Sequence, residues 1–243
     1  MKQLVIGDIH GCFEEFLELL EKAAIGPSDE IISIGDMIDR GPNSPAVLDF
    51  FWTATNASSL FGNHERKHVM AWSGRGGLTP SQVLARDQFS PEGYSQAIEY
   101  MAALPHVLDL DSALLVHAFL EPRLTLEEQD ERVLVGTLGG QRHLEHTYAR
   151  PWWELYTGHK PLIVGHHDYT GNGQPFVYCD KVFAIDTSCC RGGKLTGILL
   201  PEFRVVQVPS RRNYWAQARQ SWRKQRTEQG FSPASRFGYN QLL

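Results

Sequence analysis

The chain has 243 residues, 42% hydrophobic and 21% charged, a composition that supports a sizeable core and excludes disordered, collagen-like and disulfide-scaffold classes. Its net charge of −5 averages two unlike parts: residues 1–210 sum to −11 and residues 211–243 to +6, so an acidic body ends in a basic tail. No stretch nears the roughly 18 apolar residues of a membrane span, and four cysteines without a CxxC pair point to reduced, buried thiols in a cytoplasmic protein.

Gln3–Ile6 reads as a short buried strand that stops at Gly7-Asp8, which leaves no core for a signal peptide. A helix follows, with Phe13, Phe16, Leu17, Leu19 and Leu20 at helical spacing among glutamates, and Gly26-Pro27 ends it. Glu30–Ile34 reads as a second strand, again closed by Gly-Asp, and Pro45–Trp52 as a second helix. Ser58–Phe61 is a third strand, running through Gly62-Asn-His-Glu65 into a helix from about Arg66. Three strand–loop–helix repeats predict βαβ units and a parallel core.

Beyond residue 73 the pattern changes. Ser73–Thr79 is a Gly-rich loop, Tyr94–Leu104 a helix, and His106–Leu110 with Ala113–His117 a strand pair. Pro161–Val164, Phe176–Cys179, Val182–Ile185, Leu195–Leu200 and Arg204–Val208 supply five more strands. The expected fold is therefore α/β, a two-sheet β-sandwich flanked by helices. Its domain covers residues 1–210, with cap or insertion segments at about 73–105 and 119–150. Residues 211–243 form a basic helix and tail.

Ligands in open α/β folds collect at the carboxyl ends of strands. Here those ends carry Asp8 and His10, Asp36 and Asp39, Asn63 and His64, then His117 and His166. Each has an ordinary reading: an Asp after a strand forms turns, a lone His sits hydrogen-bonded in a core, and Asn63 is a helix cap. Five loops carrying such residues in one order are a poor fit to independent accidents. Carboxylate, imidazole and amide oxygen without thiolate suit Mn, Fe or Zn, and one loop carboxylate such as Asp36 can bridge two ions.

Gly7-Asp-Ile-His-Gly11, Gly35-Asp-Met-Ile-Asp-Arg-Gly41 and Gly62-Asn-His-Glu65 resemble the three signature motifs of the phosphoprotein phosphatase family, within the calcineurin-like metallophosphoesterases. The resemblance continues through Val116-His-Ala118, Gly165-His166 and Ile185-Asp-Thr187, and is nearest to compact bacterial Ser/Thr protein phosphatases. It implies the metallophosphoesterase sandwich and two divalent ions, Mn²⁺ first, with Fe and Zn as the other ions such donors accept. Asp8, His10 and Asp36 would hold one ion, and Asp36, Asn63, His117 and His166 the other. His64 would be the general acid, oriented by Asp39. Arg40, Arg150 and Asn63 would bind the phosphate. Phosphomonoesters would then be hydrolysed by direct attack of a metal-bridging hydroxide.

The leading substrate expectation is a phosphorylated Ser or Thr of a protein. Family members that cleave Ap4A symmetrically tend to have Ala where Asp39 stands and Asp where Glu65 stands. The alternative is a dinucleoside polyphosphate of the Ap4A type or a nucleic-acid-end phosphate. A more distant one is a metal-binding interaction module without catalysis. Phe119 and His167 depart from the family pattern, at positions that shape the pocket rather than supply ligands. Tyr214–Arg226 reads as one helix with a Trp215, Ala218, Trp222 stripe, docked on the body or, through its arginines, contacting nucleic acid or another polyanion.

Overall fold

The computed structural model describes residues 1–228. In chain order the elements are β1 (Gln3–Ile6), α1 (Phe13–Ala23), β2 (Glu30–Ser33), α2 (Ser44–Thr53), β3 (Ala57–Ser59), α3 (Asn63–Trp72), α4 (Pro80–Arg86) and α5 (Pro91–Ala102). They continue with β4 (Val107–Asp109), β5 (Leu114–Val116), α6 (Glu131–Leu134), α7 (Leu138–Thr147), β6 (Leu162–Val164), β7 (Phe176–Tyr178), β8 (Val182–Ala184), β9 (Lys194–Leu200), β10 (Arg204–Pro209) and α8 (Tyr214–Glu228).

One sheet has the order β10-β9-β1-β2-β3 and the other β4-β5-β6-β8-β7. In each, three adjacent strands run parallel, β1-β2-β3 at one side of the first sheet and β5-β6-β8 in the middle of the second, and β9, β10, β4 and β7 pair antiparallel. The interior strands β1, β2, β5, β6 and β8 are short, mainly apolar runs because both of their faces are buried. Val5, Ile32, Leu115, Ile163, Phe183 and Ile198 point inward and form one core between the sheets. Their neighbours Leu4 and Ile6 face α1, α2 and α5, meeting Phe16, Leu19, Val47 and Phe51. Leu114, Val116, Leu162 and Val164 face outward onto Phe119, Val133, Leu144 and Trp152. Alternation along each strand thus divides the interior into three cores, as the two-sheet expectation requires.

Several boundaries differ from the periodicity reading. α3 begins at Asn63 rather than Arg66, because the Glu65 carboxylate accepts the Gly62 N–H at 3.1 Å and satisfies the helix start. α5 begins at Pro91, where Ser90 Oγ accepts the Gly93 N–H at 3.0 Å. α4 lies in a segment where no helix was expected. Cys12, Cys189 and Cys190 are buried free thiols, but Cys179 is exposed at the end of β7, against the expectation for all four.

The start of the basic segment docks on the body. Glu15, fully buried on α1, accepts from the Arg211 N–H at 3.0 Å and the Tyr214 hydroxyl at 2.8 Å. Arg211 also lies 3.6 Å from Glu14 and 3.9 Å from Glu18, and Trp215 is buried. Part of the charge asymmetry between body and tail is therefore one contact surface. Phe231–Leu243, whose sequence reads as extended or poorly ordered, lies outside the described residues. No helix among the described residues is long and apolar enough to cross a membrane.

Candidate metal centre

The parallel strands of both sheets deliver their carboxyl ends to one place. The loop after β1 is tied to the loop after β2, with the His10 N–H donating to Asp36 O at 2.9 Å and the Gly11 N–H to Met37 O at 2.8 Å. Within the second sheet the Gly165 N–H donates to His117 O at 2.8 Å, and the two sheets are joined by the His166 N–H, which donates to Asp8 Oδ1 at 2.9 Å. Gly165 permits this approach, since a Cβ on it would stand 2.3 Å from Asp8 Oδ1. His10, Asp36, Asp39, Arg40 and His166 all have positive φ without being glycine. Such backbone costs energy and tends to gather where function over-determines the geometry.

Two buried triads share one carboxylate: His10, Asp36 and His64 on one side, Asp36, His117 and His166 on the other, each with donor atoms within 4.8 Å. Asp36 Oδ2 lies 3.7 Å from His10 Nε2, and Asp36 Oδ1 lies 3.4 Å from His117 Nε2. Asn63 Oδ1 stands 3.2 Å from His117 Nε2 and 2.9 Å from His166 Nδ1. The imidazoles are aimed from behind: His10 Nδ1 donates to Ile38 O at 2.8 Å and His117 Nδ1 to Ile34 O at 2.7 Å, turning both Nε2 atoms into the cluster.

The donor set fits divalent cations on the evidence of what it leaves uncompensated. Asp8 Oδ2 and His64 Nε2 are buried without a hydrogen-bond partner among the described residues. Burial, then Asp186 and Asp36, push the Asp8 carboxyl well above its usual range. Burial alone would lower His117, yet Asp36 and Asp8 drive its imidazole up to about 10. A proton on His117 thus supplies positive charge that an ion at the same carboxylates would supply instead. Arg40 Nη1 sits 2.6 Å from His10 Nε2, another cation on a lone pair that faces the cluster.

His64 extends from the first turn of α3, and its Nδ1 is hydrogen-bonded to Asp39 Oδ2. Its Nε2 points at the cluster, 3.9 Å from Asp36 Oδ2. Burial, then the charge of Arg40, bring its imidazole down to about 4. Burial would raise Asp39, but His68 and His64 outweigh it and hold the carboxyl far below its usual range. A carboxylate fixed in charge beside Nδ1–H leaves Nε2 as the atom that exchanges a proton.

The first 199 residues match the family described as calcineurin-like phosphoesterase. The chain belongs to that family. The phosphoesterase is 29% identical over 240 residues to the bis(5′-nucleosyl)-tetraphosphatase PrpE (asymmetrical) of Bacillus cereus (strain B4264), and 30% identical to the protein of that name from Bacillus mycoides (strain KBAB4). Both matches cover 86% of this chain and 95% of the relative. A solved structure described as a diadenosine tetraphosphatase superposes with a TM-score of 0.71 at 22% identity, over 86% of this chain and 93% of the other. A protein serine/threonine phosphatase from Saccharomyces cerevisiae superposes at 0.58 and 16% identity, over 86% and 79%. At these identities the two structures speak for a shared fold.

Three supporting residues of the phosphoesterase escaped the sequence reading. Glu65 is fully buried, and its carboxylate accepts the N–H groups of Asp36 and Met37 at 2.9 Å each, besides that of Gly62. It clamps the loop that carries Asp36. His68, one turn after His64, donates from Nε2 to Asp39 Oδ1 at 2.8 Å, and its Nδ1 meets the Tyr94 hydroxyl at 2.7 Å. Gln82, from α4, donates to Asp39 Oδ2. The pair of histidines four apart on one helix was the available signal. Nothing marked Gln82, because α4 itself was not foreseen. Arg150 is exposed and paired with Glu154 at 2.9 Å, on the rim of a neighbouring cavity that His167 also lines.

Proposed function

We propose that this phosphoesterase hydrolyses dinucleoside tetraphosphates asymmetrically, with the buried Asp/His/Asn cluster as its two-metal centre. The observation that carries the reading is the extent of the relationship. Similarity to the asymmetrical tetraphosphatases runs through 86% of this chain and 95% of theirs, so it takes in the segments around the cluster and not only the motifs. Asp39 and Glu65, which differ from the symmetrical pattern, agree with it. The Ser/Thr phosphatase expectation gives way to the second of the two substrate readings, since its structural neighbour supports only the fold.

In the proposed site Asp8, His10 and Asp36 hold one ion, and Asp36, Asn63, His117 and His166 the other. Manganese suits this N/O set. Such ions, when bound, neutralise phosphate charge and lower the pKa of water towards neutrality. Arg40 presents a planar fork of donors to phosphate oxygens. A phosphate that engages Arg40 would also offset the charge that, after burial, most depresses His64. Asp39, braced by His68 and Gln82, keeps the ring oriented while a proton passes from Nε2 to the leaving oxygen.

Two expectations follow. With Mn²⁺ added, kcat/KM for Ap4A should exceed that for phosphoserine peptides and for RNA-end phosphates by about 10-fold or more, a gap of roughly 1.4 kcal/mol. A phosphopeptide preferred over Ap4A would return the function to the first reading. His64→Ala should cost an alkyl phosphate about 10²-fold or more but p-nitrophenyl phosphate far less, because nitrophenolate leaves without a proton. Equal losses on the two would remove His64 as the acid.

A further inference from the structure

Beside the cluster lies a cavity of about 390 Å³, between α7 and the loops after α7 and β6. A chain of six rings runs from the cluster along its wall, five of them lining it. The His166 ring meets Phe119 at 5.3 Å, Phe119 meets Trp152 at 6.1 Å, Trp152 meets Trp153 at 5.8 Å, Trp153 meets Tyr169 at 5.0 Å, and Tyr169 meets His167 at 4.8 Å. All these contacts are edge-to-face, so each ring is held in place by its neighbours. Tyr148 adds a seventh ring, its hydroxyl tied to Glu121 at 3.1 Å and Pro122 O at 3.0 Å.

Aromatic clusters commonly are just outer core, and Phe119 and Trp152 are indeed buried here. Trp153, Tyr148 and Tyr169 are only half-buried, however, His167 is exposed, and the space they enclose is open. Its volume is in the range of a small-molecule site. The mouth is polar in a particular way. Gln141 donates its Nε2 to Glu145 Oε1 at 2.8 Å, which leaves the Gln141 amide oxygen and the second Glu145 oxygen as acceptors. Arg150, braced by Glu154, stands at the same rim.

We propose that this cavity seats one nucleobase of the substrate, stacked on Trp153, with Gln141 and Glu145 accepting from an exocyclic amine. Adenine carries such a donor at C6 and guanine one at C2, whereas uracil presents carbonyl oxygens and no exocyclic amine. Stacking on an aromatic face suits any base, and the acceptor pair adds a preference for bases with an exocyclic amine over uracil. The proximity of the cavity to the cluster fits a ligand whose base and reacting phosphate belong to one nucleotide. His167 lines the cavity, and His166, next to it in the chain, belongs to the cluster. The inference rests on the proposed nucleotide reading and adds to it a place where the base is recognised.

The test uses the full-length, Mn²⁺-loaded protein with Ap4A and β-glycerol phosphate, which has a phosphoryl group but no ring. Trp153→Ala should raise KM for Ap4A about 10-fold or more and lower the Ap4A to glycerol phosphate ratio of kcat/KM by a similar factor, whereas Trp153→Phe should restore most of both. Trp72→Ala, an exposed tryptophan remote from this cavity, should leave the ratio unchanged. Glu145→Lys, which exchanges an acceptor for a donor at an exposed position, should move preference from Ap4A towards Up4U. An unaltered ratio in Trp153→Ala, equal loss on both substrates, or no movement in Glu145→Lys overturns the proposal. Should the unmodified protein fail to turn over Ap4A, the nucleotide reading falls, and calorimetric titration with AMP judges the cavity by itself. Binding lost in Trp153→Ala and kept in Trp72→Ala supports it, and binding that is absent or indifferent to Trp153 rejects it.

Discussion

Asp36→Asn is expected to lower Mn²⁺-dependent phosphoesterase turnover by about 10³-fold, at or beyond the upper end of what losing a preorganised charge-stabilising group costs. Asp36 is the one carboxylate common to both buried triads. Its Oδ1 accepts the His64 N–H at 2.9 Å and faces His117, while Oδ2 faces His10 and His64. Asparagine keeps the shape but removes the charge and turns an NH₂ group towards the imidazoles. The second readout is thermal: Mn²⁺ at 100 times its Kd stabilises the folded protein by about 2.7 kcal/mol, a rise in Tm of roughly 5–10 °C for a chain of this size. The variant should lose that rise. Full activity with an intact rise would show that Asp36 does not bridge.

Glu65→Ala is expected to produce the largest loss of stability outside the apolar cores. The Glu65 carboxylate takes N–H groups from Asp36, Met37 and Gly62 in a site closed to water, and alanine leaves all of them unmatched. At about 1–3 kcal/mol for each orphaned group, the sum should reach about 4 kcal/mol, with Tm lower by roughly 10 °C. Activity should fall as well, because the same N–H groups fix the loop that presents Asp36. Glu65→Gln keeps the volume but sets an NH₂ against backbone donors, so it should be only a partial rescue. Urea unfolding of the three proteins measures the effect. A change within about 0.5 kcal/mol for Glu65→Ala, the scale of a surface substitution, would refute the clamp.

These residues differ in how visible they were in the sequence, and the reason is physical. Asp8, His10, Asp36, Asn63 and His64 stand directly after short apolar strands, where a parallel sheet exposes its carboxyl ends, so position along the chain implied position in space. His117 and His166 followed the same rule in the second sheet. Glu65 sits in the first turn of a helix, where a glutamate ordinarily serves the helix itself. Its partners Asp36 and Met37 are 29 and 28 residues away, a pairing that exists only once β2 and β3 lie side by side. Gln82 depended on α4, seven residues long and introduced by Pro80 after a Gly-rich loop, too short to announce itself by periodicity. Arg150 was placed by its distance along the chain from His166, a measure that does not say which side of a loop a side chain will take.

The basic tail is the converse case. Its composition was plain from the outset, yet composition could not say what it faced. Contact with Glu14, Glu15 and Glu18 of α1 gives one answer, because acidic residues on the exposed side of an early helix meet the start of a late one. The −11 of the body therefore includes carboxylates turned towards the tail as well as those turned towards the metal centre.

The central claim, a phosphoesterase that splits dinucleoside tetraphosphates away from their midpoint, is tested most directly by the products of Ap4A. The Mn²⁺-loaded protein is incubated with Ap4A and the nucleotides are separated at low conversion. Asymmetrical hydrolysis predicts ATP and AMP in equal amounts from the first time point. ADP as the sole product, or Ap4A left intact while a phosphopeptide is dephosphorylated, would contradict it.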